Sequence, residues 1–285
     1  MLEKFLSVEH SMTGKTHCIP KASLAFLWGL LWLAIPLQAE DITGRAIFDE
    51  VAKRHEASHE FEQQTMTLTD DKGNHEVRQV RRFALKGQDG QFKYLIVFDS
   101  PPGAKGTALL TWQHADAQDD QWLYLPAQGD RTKRIAKGSK KNYFMGTDYT
   151  FEDLVSESRD KFAYARLADT SLDGIDCFVV DVTPTDANLV KETGYKKRRV
   201  WIRKDNFCIV RTDYFDKKEK ILKRQTATGL ANVAGSMWRA TDSFMENLSN
   251  GHSTRVRVDK RLLDEGSVPE EYFQQRFLLA GQHMR

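Results

Sequence analysis

From Asp41 to about His59 the apolar positions keep helical spacing, with Ile42, Ala46, Ile47 and Val51 recurring three to five residues apart on one face. After that the period drops to two. The run 61–70, "FEQQTMTLTD", passes through the turn "DKGN" into 75–85, "HEVRQVRRFAL", and reads as a hairpin. "QFKYLIVFD" (91–99) is a third strand, followed by "TALLTW" (107–112) and "DQWLYLP" (120–126). Seven more strand-like runs follow, starting near residues 161, 177, 198, 208, 220, 236 and 253, most of them separated by turns rich in Asp, Gly, Asn or Lys. About a dozen strands with few helices between them predict a large antiparallel sheet, curved or partly closed, rather than parallel βαβ units. Two late segments predict helices: 147–158, "TDYTFEDLVSES", with Thr147 or Asp148 as N-cap, and 267–279, "SVPEEYFQQRFLL", with Pro269 near a first turn.

Ahead of this pattern stands a different one. Ala22 to Ile35 is apolar apart from Ser23 and Gly29, follows Lys15 and Lys21, and leads into "PLQA". That is the form of a secretory signal peptide, too short to span a bilayer, with cleavage expected after Ala39 and translation starting at Met1 or Met12. The expected organisation is a leader, 1–39, and one domain, 40–285. The whole chain has 42 basic and 40 acidic residues; taking away Lys4, Lys15, Lys21, Glu3 and Glu9 leaves a net charge of +1. Such a balance argues against nucleic acid as a partner, so any basic function must be local.

Export permits disulfides. Yet Cys177 and Cys208 open two strands of an expected meander with "RRVWIR" between them, so a bond is doubtful: two strand spacings are about 9–10 Å, beyond the ~7 Å reach between Cα atoms.

Residues 55–59, "HEASH", match the H-E-x-x-H zinc pattern. The motif would lie on the first helix of the mature chain, at its end, with too little chain before it for substrate-aligning strands. His75, His114, His252 and His283 sit in no recognisable third-ligand motif. The match is read as coincidence, a polar helix terminus with His59 near the negative dipole end; no metal and no cofactor are expected.

The most distinctive stretch is 120–154. Trp122 and Tyr124 share one strand face. Arg131, Lys133, Arg134, Lys137, Lys140 and Lys141 then form a cationic loop without an acid, and Tyr143, Phe144, Met145 and Phe151 follow it. Positive charge beside apolar side chains suits an amphipathic ligand with an anionic headgroup; a solvated loop followed by a packing anchor is the plainer reading. Arg81, Arg82, Arg198 and Arg199 read as solvated strand residues.

Those residues carry a resemblance. "FDSPPGAKGTALLTW" (98–112), "DDQWLYLPA" with "RTKRIAKGSKKNYFMGTDYTFEDL" (131–154), "DGIDCFVVDVTP", "YFDKKEKILK" and "FQQRFLL" stand in order. The sequence resembles the outer-membrane lipoprotein-sorting protein family, within the LolA/LolB-type lipoprotein carrier superfamily, over about residues 42–280. The resemblance implies a mainly β fold with helices (α+β): a strongly curved antiparallel half-barrel whose apolar concave face is covered by a few helices. It implies a monomeric, non-enzymatic periplasmic carrier of lipid or lipoprotein acyl chains, with an inner-membrane RND-type transporter as partner. Trp112, Trp122, Tyr124, Tyr143, Phe144, Met145 and Phe151 are the expected cargo contacts; Arg131, Lys133, Arg134 and Lys137 are the expected headgroup or partner contacts. A lipid hydrolase using the same cavity is one alternative, although no G-x-S-x-G elbow accompanies Ser139, Ser156 or Ser158. A module that docks a partner on a sheet edge is the other.

Overall fold

Fourteen strands of one antiparallel sheet form the frame of the chain, whose computed structural model describes residues 41–126 and 131–284. The leader and its cleavage site lie outside the described residues. The chain begins with α1 (Gly44–His55) and runs through β1 (His59–Thr69), β2 (His75–Lys86), β3 (Phe92–Ser100), β4 (Ala108–Trp112), β5 (Asp120–Leu125) and β6 (Arg131–Arg134). It resumes with β7 (Phe162–Arg166), β8 (Thr170–Leu172), β9 (Ile175–Pro184), α2 (Ala187–Thr193), β10 (Lys197–Arg203), β11 (Ile209–Phe215) and β12 (Ile221–Thr228). A small pair, β13 (Ala231–Ala234) and β14 (Met237–Arg239), precedes β15 (Asp242–Asn247), β16 (Ser253–Leu262) and α3 (Gln275–Leu279).

The strand order is β6-β5-β4-β3-β2-β1-β16-β15-β12-β11-β10-β9-β7, with β8 on β9, so the sheet is open and β6 and β7 lie at its opposite ends. The segment joining those two strands therefore has to cross the whole sheet. It does so on one face.

Register defines that face, because directly paired residues point to the same side. Val182 pairs with Arg198, Arg198 with Tyr214, Tyr214 with Lys223 and Lys223 with Asn247. The row beside it runs from Val200 through Thr212, Gln225 and Met245 to Thr254. On the other half, Glu62 pairs with Arg82, Arg82 with Ile96, Ile96 with Leu109 and Leu109 with Leu123. This is the inner face, and 135–158 lies across it as a strap.

α1 packs on the β7–β10 end of the inner face, placing Ile47 and Phe48 against Val180, Val182, Val200 and Ile202. The Thr43 side chain caps its start by accepting from the Ala46 amide at 3.2 Å. Gly44 is required there: a Cβ would stand 2.8 Å from the Tyr164 carbonyl oxygen. The helix ends at His55, not at about residue 59.

On the outer face of β2–β5 the C-terminal segment 265–284 buries Phe83, Leu95, Val97, Leu110, Trp122 and Tyr124 beneath Val268, Phe273, Phe277 and Leu278. β3 is thus covered on both sides, which explains its unbroken run "YLIVF". The outer face of β9–β12 instead carries ion pairs: Lys197 and Arg199 on Asp181, Arg211 and Arg224 on Asp213.

Two helix expectations are corrected. In 147–158 only Glu152–Leu154 forms a single 3-10 turn. Its chain is held open by the Tyr143–Thr150 bridge and by backbone turned to positive φ at Met145 and Gly146. The segment 267–279 splits into a 3-10 turn, Glu270–Phe273, and α3. The run 236–246 likewise breaks into β14 and β15.

Candidate functional site

Two hollows lie on the inner face, on either side of the strap. The larger, about 360 Å³, is walled by Phe48, Phe162, Val182, Val200, Thr212 and Tyr214, with Glu152, Asp153, Val155, Ser156 and Glu157 of the strap over it. The second, about 270 Å³, is lined by Met66, Ile96, Phe144, Leu154 and Val256 together with Glu62, Gln64, Arg82 and Ser243. Asp153, Val155, Ser156 and Gln225 line both. The walls therefore mix apolar side chains with polar ones.

Three anchors hold the strap. Lys223 is fully buried; its ammonium donates to the Asp148 carbonyl at 2.8 Å and to the Asp153 carboxylate. Asp153 also accepts from the Thr150 amide at 2.6 Å and the Tyr195 hydroxyl at 3.0 Å. Burial pulls the Lys223 pKa below the usual lysine value, with Asp153 opposing the shift. The second anchor is Asp148, whose carboxylate accepts from Thr254 Oγ1 at 2.8 Å and Asn247 Nδ2 at 3.2 Å. The third is Glu157, which accepts from Arg198 and from the Tyr164 hydroxyl.

Behind the second hollow is a buried charge cluster. Arg239 donates to Glu60 at 2.8 and 3.1 Å. Arg261 donates to Glu62 at 3.0 and 2.6 Å and lies 3.0 Å from Glu60. Burial works against the Glu60 carboxylate, but the Arg239 hydrogen bond and the neighbouring guanidinium charges outweigh it and lower the pKa. Ser156 faces the hollow and shares a hydrogen bond with the Tyr94 hydroxyl; burial pushes that phenol up to about 12, too high for a base at neutral pH.

The structure scatters the expected cargo contacts. Trp112, Trp122 and Tyr124 lie on the outer face under the C-terminal segment, where Trp112 Nε1 donates to the Phe273 carbonyl at 2.8 Å. Phe144 and Phe151 are strap residues on the inner face, meeting edge to face beside Phe98 in a packed cluster. Met145 packs against that cluster, and its carbonyl accepts from Arg78 at 2.6 Å. Tyr143 is partly exposed, and its hydroxyl accepts from Asn247. Of the seven, Phe144 lines a hollow.

The cationic stretch is also ordered. Arg131, Lys133 and Arg134 belong to edge strand β6; Arg134 pairs with Asp120, Lys137 with Glu192 at 3.2 Å, and buried Lys140 with Asp119 at 3.6 Å. Arg82 and Arg198 point inward and are corrected from solvated to cavity-facing.

The "HEASH" residues are a helix end, its cap and a strand start, so the two imidazoles share no helical face. His55 Nε2 lies 2.9 Å from the Asn206 carbonyl and its Nδ1 accepts from the Trp238 amide at 3.2 Å. Among the described residues no group of three or more His, Cys, Asp or Glu could hold a metal ion. Cys177 and Cys208 are buried free thiols.

A family model described as "uncharacterized protein" matches residues 90–280. An outer membrane lipoprotein-sorting protein domain from Vibrio parahaemolyticus is 32% identical, with a TM-score of 0.77 over 83% of this chain and 98% of that one. A DUF1329 family protein from Desulfovibrio piger is 28% identical, with a TM-score of 0.77 over 82% and 97%. A LolA superfamily protein from Nitrosomonas europaea, 15% identical, shares the fold at a TM-score of 0.65 over 83% and 100%. No curated protein matches the chain. The open antiparallel sheet is thus a fold shared with a LolA superfamily protein. The chain belongs to the outer-membrane lipoprotein-sorting protein family.

Proposed function

We propose that this protein is a periplasmic carrier that shelters the acyl chains of a lipid or lipoprotein in the two hollows of the inner face. Acyl chains gain roughly 0.8 kcal/mol per methylene taken out of water, so a soluble shuttle needs an enclosed apolar surface. The observation that carries the reading is the pair of hollows meeting under the strap, walled by Phe48, Phe162, Val182 and Val200 on one side and Met66, Ile96 and Val256 on the other.

The same residues support a half-barrel. Ser156 bonds to Tyr94 on β3 and lines a hollow with Val200 on β10, seven strands further along the sheet. On a flat sheet that is roughly 34 Å; bending brings the two together. The carrier acts as a monomer after loss of the leader, and hands its cargo to or from an RND-type inner-membrane transporter. Exposed Arg131 and Lys133 on β6 supply positive charge for that contact or for lipid headgroups.

The test is lipid mass spectrometry of the full-length protein purified after export, beside Val200→Trp, which fills the larger hollow. Co-purifying lipid in the wild type and its loss in a folded Val200→Trp variant are expected. If neither co-purifying lipid nor uptake of a fluorescent acyl probe is found across preparations, the carrier reading fails.

A further inference from the structure

We propose that Arg82 is an anion-binding residue inside the second hollow, selecting cargo whose single polar head is a carboxylate or a phosphate. This rests on the carrier reading and deepens it by naming the class of ligand.

The argument starts from charge balance. Three guanidiniums, of Arg82, Arg239 and Arg261, meet two carboxylates, of Glu60 and Glu62. Arg239 holds Glu60 and Arg261 holds Glu62 at hydrogen-bonding distances, and each arginine also donates to a backbone carbonyl, of Trp238 and Ala240 respectively. The remaining oxygen of Glu62, Oε2, accepts from Gln64 Nε2 at 2.7 Å. Arg82 reaches that oxygen only at 3.5 Å, beyond the ordinary range of about 2.7–3.2 Å. Asp153, the other acid that lines this hollow, has its own cation in Lys223. Arg82 is the surplus positive charge.

Its position suits a ligand. The guanidinium stands above the Tyr94 ring, 5.3 Å from its centroid, and lines the hollow together with Met66, Ile96, Phe144 and Val256. Arg cannot shed its proton at any physiological pH, and its planar fork matches the two oxygens of a carboxylate or phosphate. The Ser156 hydroxyl lines the same hollow as a second polar contact. An amphiphile laid head-first here would satisfy the unused donors while its chain ran along the apolar wall toward the larger hollow.

Replacing Arg82 leaves two guanidiniums on two carboxylates, so Arg82→Gln strands no buried charge and is expected to fold. Oleate, 1-oleoyl lysophosphatidate and oleyl alcohol serve as probes, titrated by calorimetry into full-length protein after delipidation. The wild type is expected to bind oleate or the lysophosphatidate at least about tenfold tighter than the alcohol, the worth of one charge-assisted contact. Arg82→Gln removes that preference while leaving the alcohol affinity unchanged, and Arg82→Lys retains part of it. Whichever anion binds tighter separates a carboxylate head from a phosphate head. Equal affinity for all three in the wild type, or an undiminished preference in Arg82→Gln, overturns the assignment and leaves the carrier reading standing. Binding of none overturns both.

Discussion

The two faces of the β1–β5 half of the sheet solve burial in opposite ways. Outside, Trp122, Tyr124, Phe273, Phe277 and Leu278 interlock beneath the C-terminal segment. Inside, Glu60, Glu62, Gln64 and Arg82 share the surface with Met66, Val80 and Ile96. An interior of purely apolar side chains tends to close on itself, because packed cores reach crystal-like density. Charged groups that must keep fixed partners resist that collapse. The difference teaches that the polar cluster works as a spacer: it keeps the inner face hollow where the outer face is solid.

Breaking a buried pair on the inner face should show the largest effect. Asp153→Ala leaves the Lys223 ammonium buried against the Asp148 carbonyl and the Tyr143, Tyr195 and Tyr214 rings with no carboxylate bonded to it, and should cost about 3–5 kcal/mol in urea unfolding. Replacing both members, as Asp153→Leu with Lys223→Met, should recover most of the loss. A single-variant cost below about 1 kcal/mol would mean the strap is not held by this pair. On the solid face, Phe277→Ala should cost about 3 kcal/mol, the transfer term plus a cavity. Because that site is no part of the hollows, acyl-probe affinity should stay within twofold, and a large loss would erase the distinction between the faces.

The smallest effect concerns pH. Burial lowers the pKa of His55, helped by Arg239 and Arg54 and opposed by the Asn206 carbonyl. Below its ordinary pKa of 6.5 the unfolded chain therefore takes up the proton more readily than the folded one. Stability should fall as pH drops from 7.5 to 5.5, a window above the range in which the lowered Glu60 pKa acts. The urea midpoint of His55→Gln should change less across that window; parallel curves for the two proteins would remove His55 as the cause.

Much of the fold was legible because alternation survives wherever one face is wet: β1, β2 and β7 read directly. The strap did not, because "TDYTFEDLVSES" has a good cap and a helical look, while its conformation is decided by contacts such as Asp148 with Thr254, 106 residues away. The charge cluster was hidden for the same reason: Glu60 meets Arg239 only after 179 residues of chain have been laid into register. One signal was present. In "RQVRRFAL" Arg82 alternates with Val80 and Ala84 as Arg81 does with Phe83 and Leu85, all four buried, so period two sets each arginine among apolar side chains without choosing between the faces. The aromatic residues near 112–124 lie on the covered outer face, which alternation could not tell, because it pairs side chains on a face but does not say which face stays open.

Strands β6 and β7 are neighbours along the chain but opposite margins of the sheet, and the connection between them runs over the inner face like a string across a bow. The length of that string then sets how far the two margins can spread. Removing or adding residues in it would change the distance between the two margins without altering a single strand.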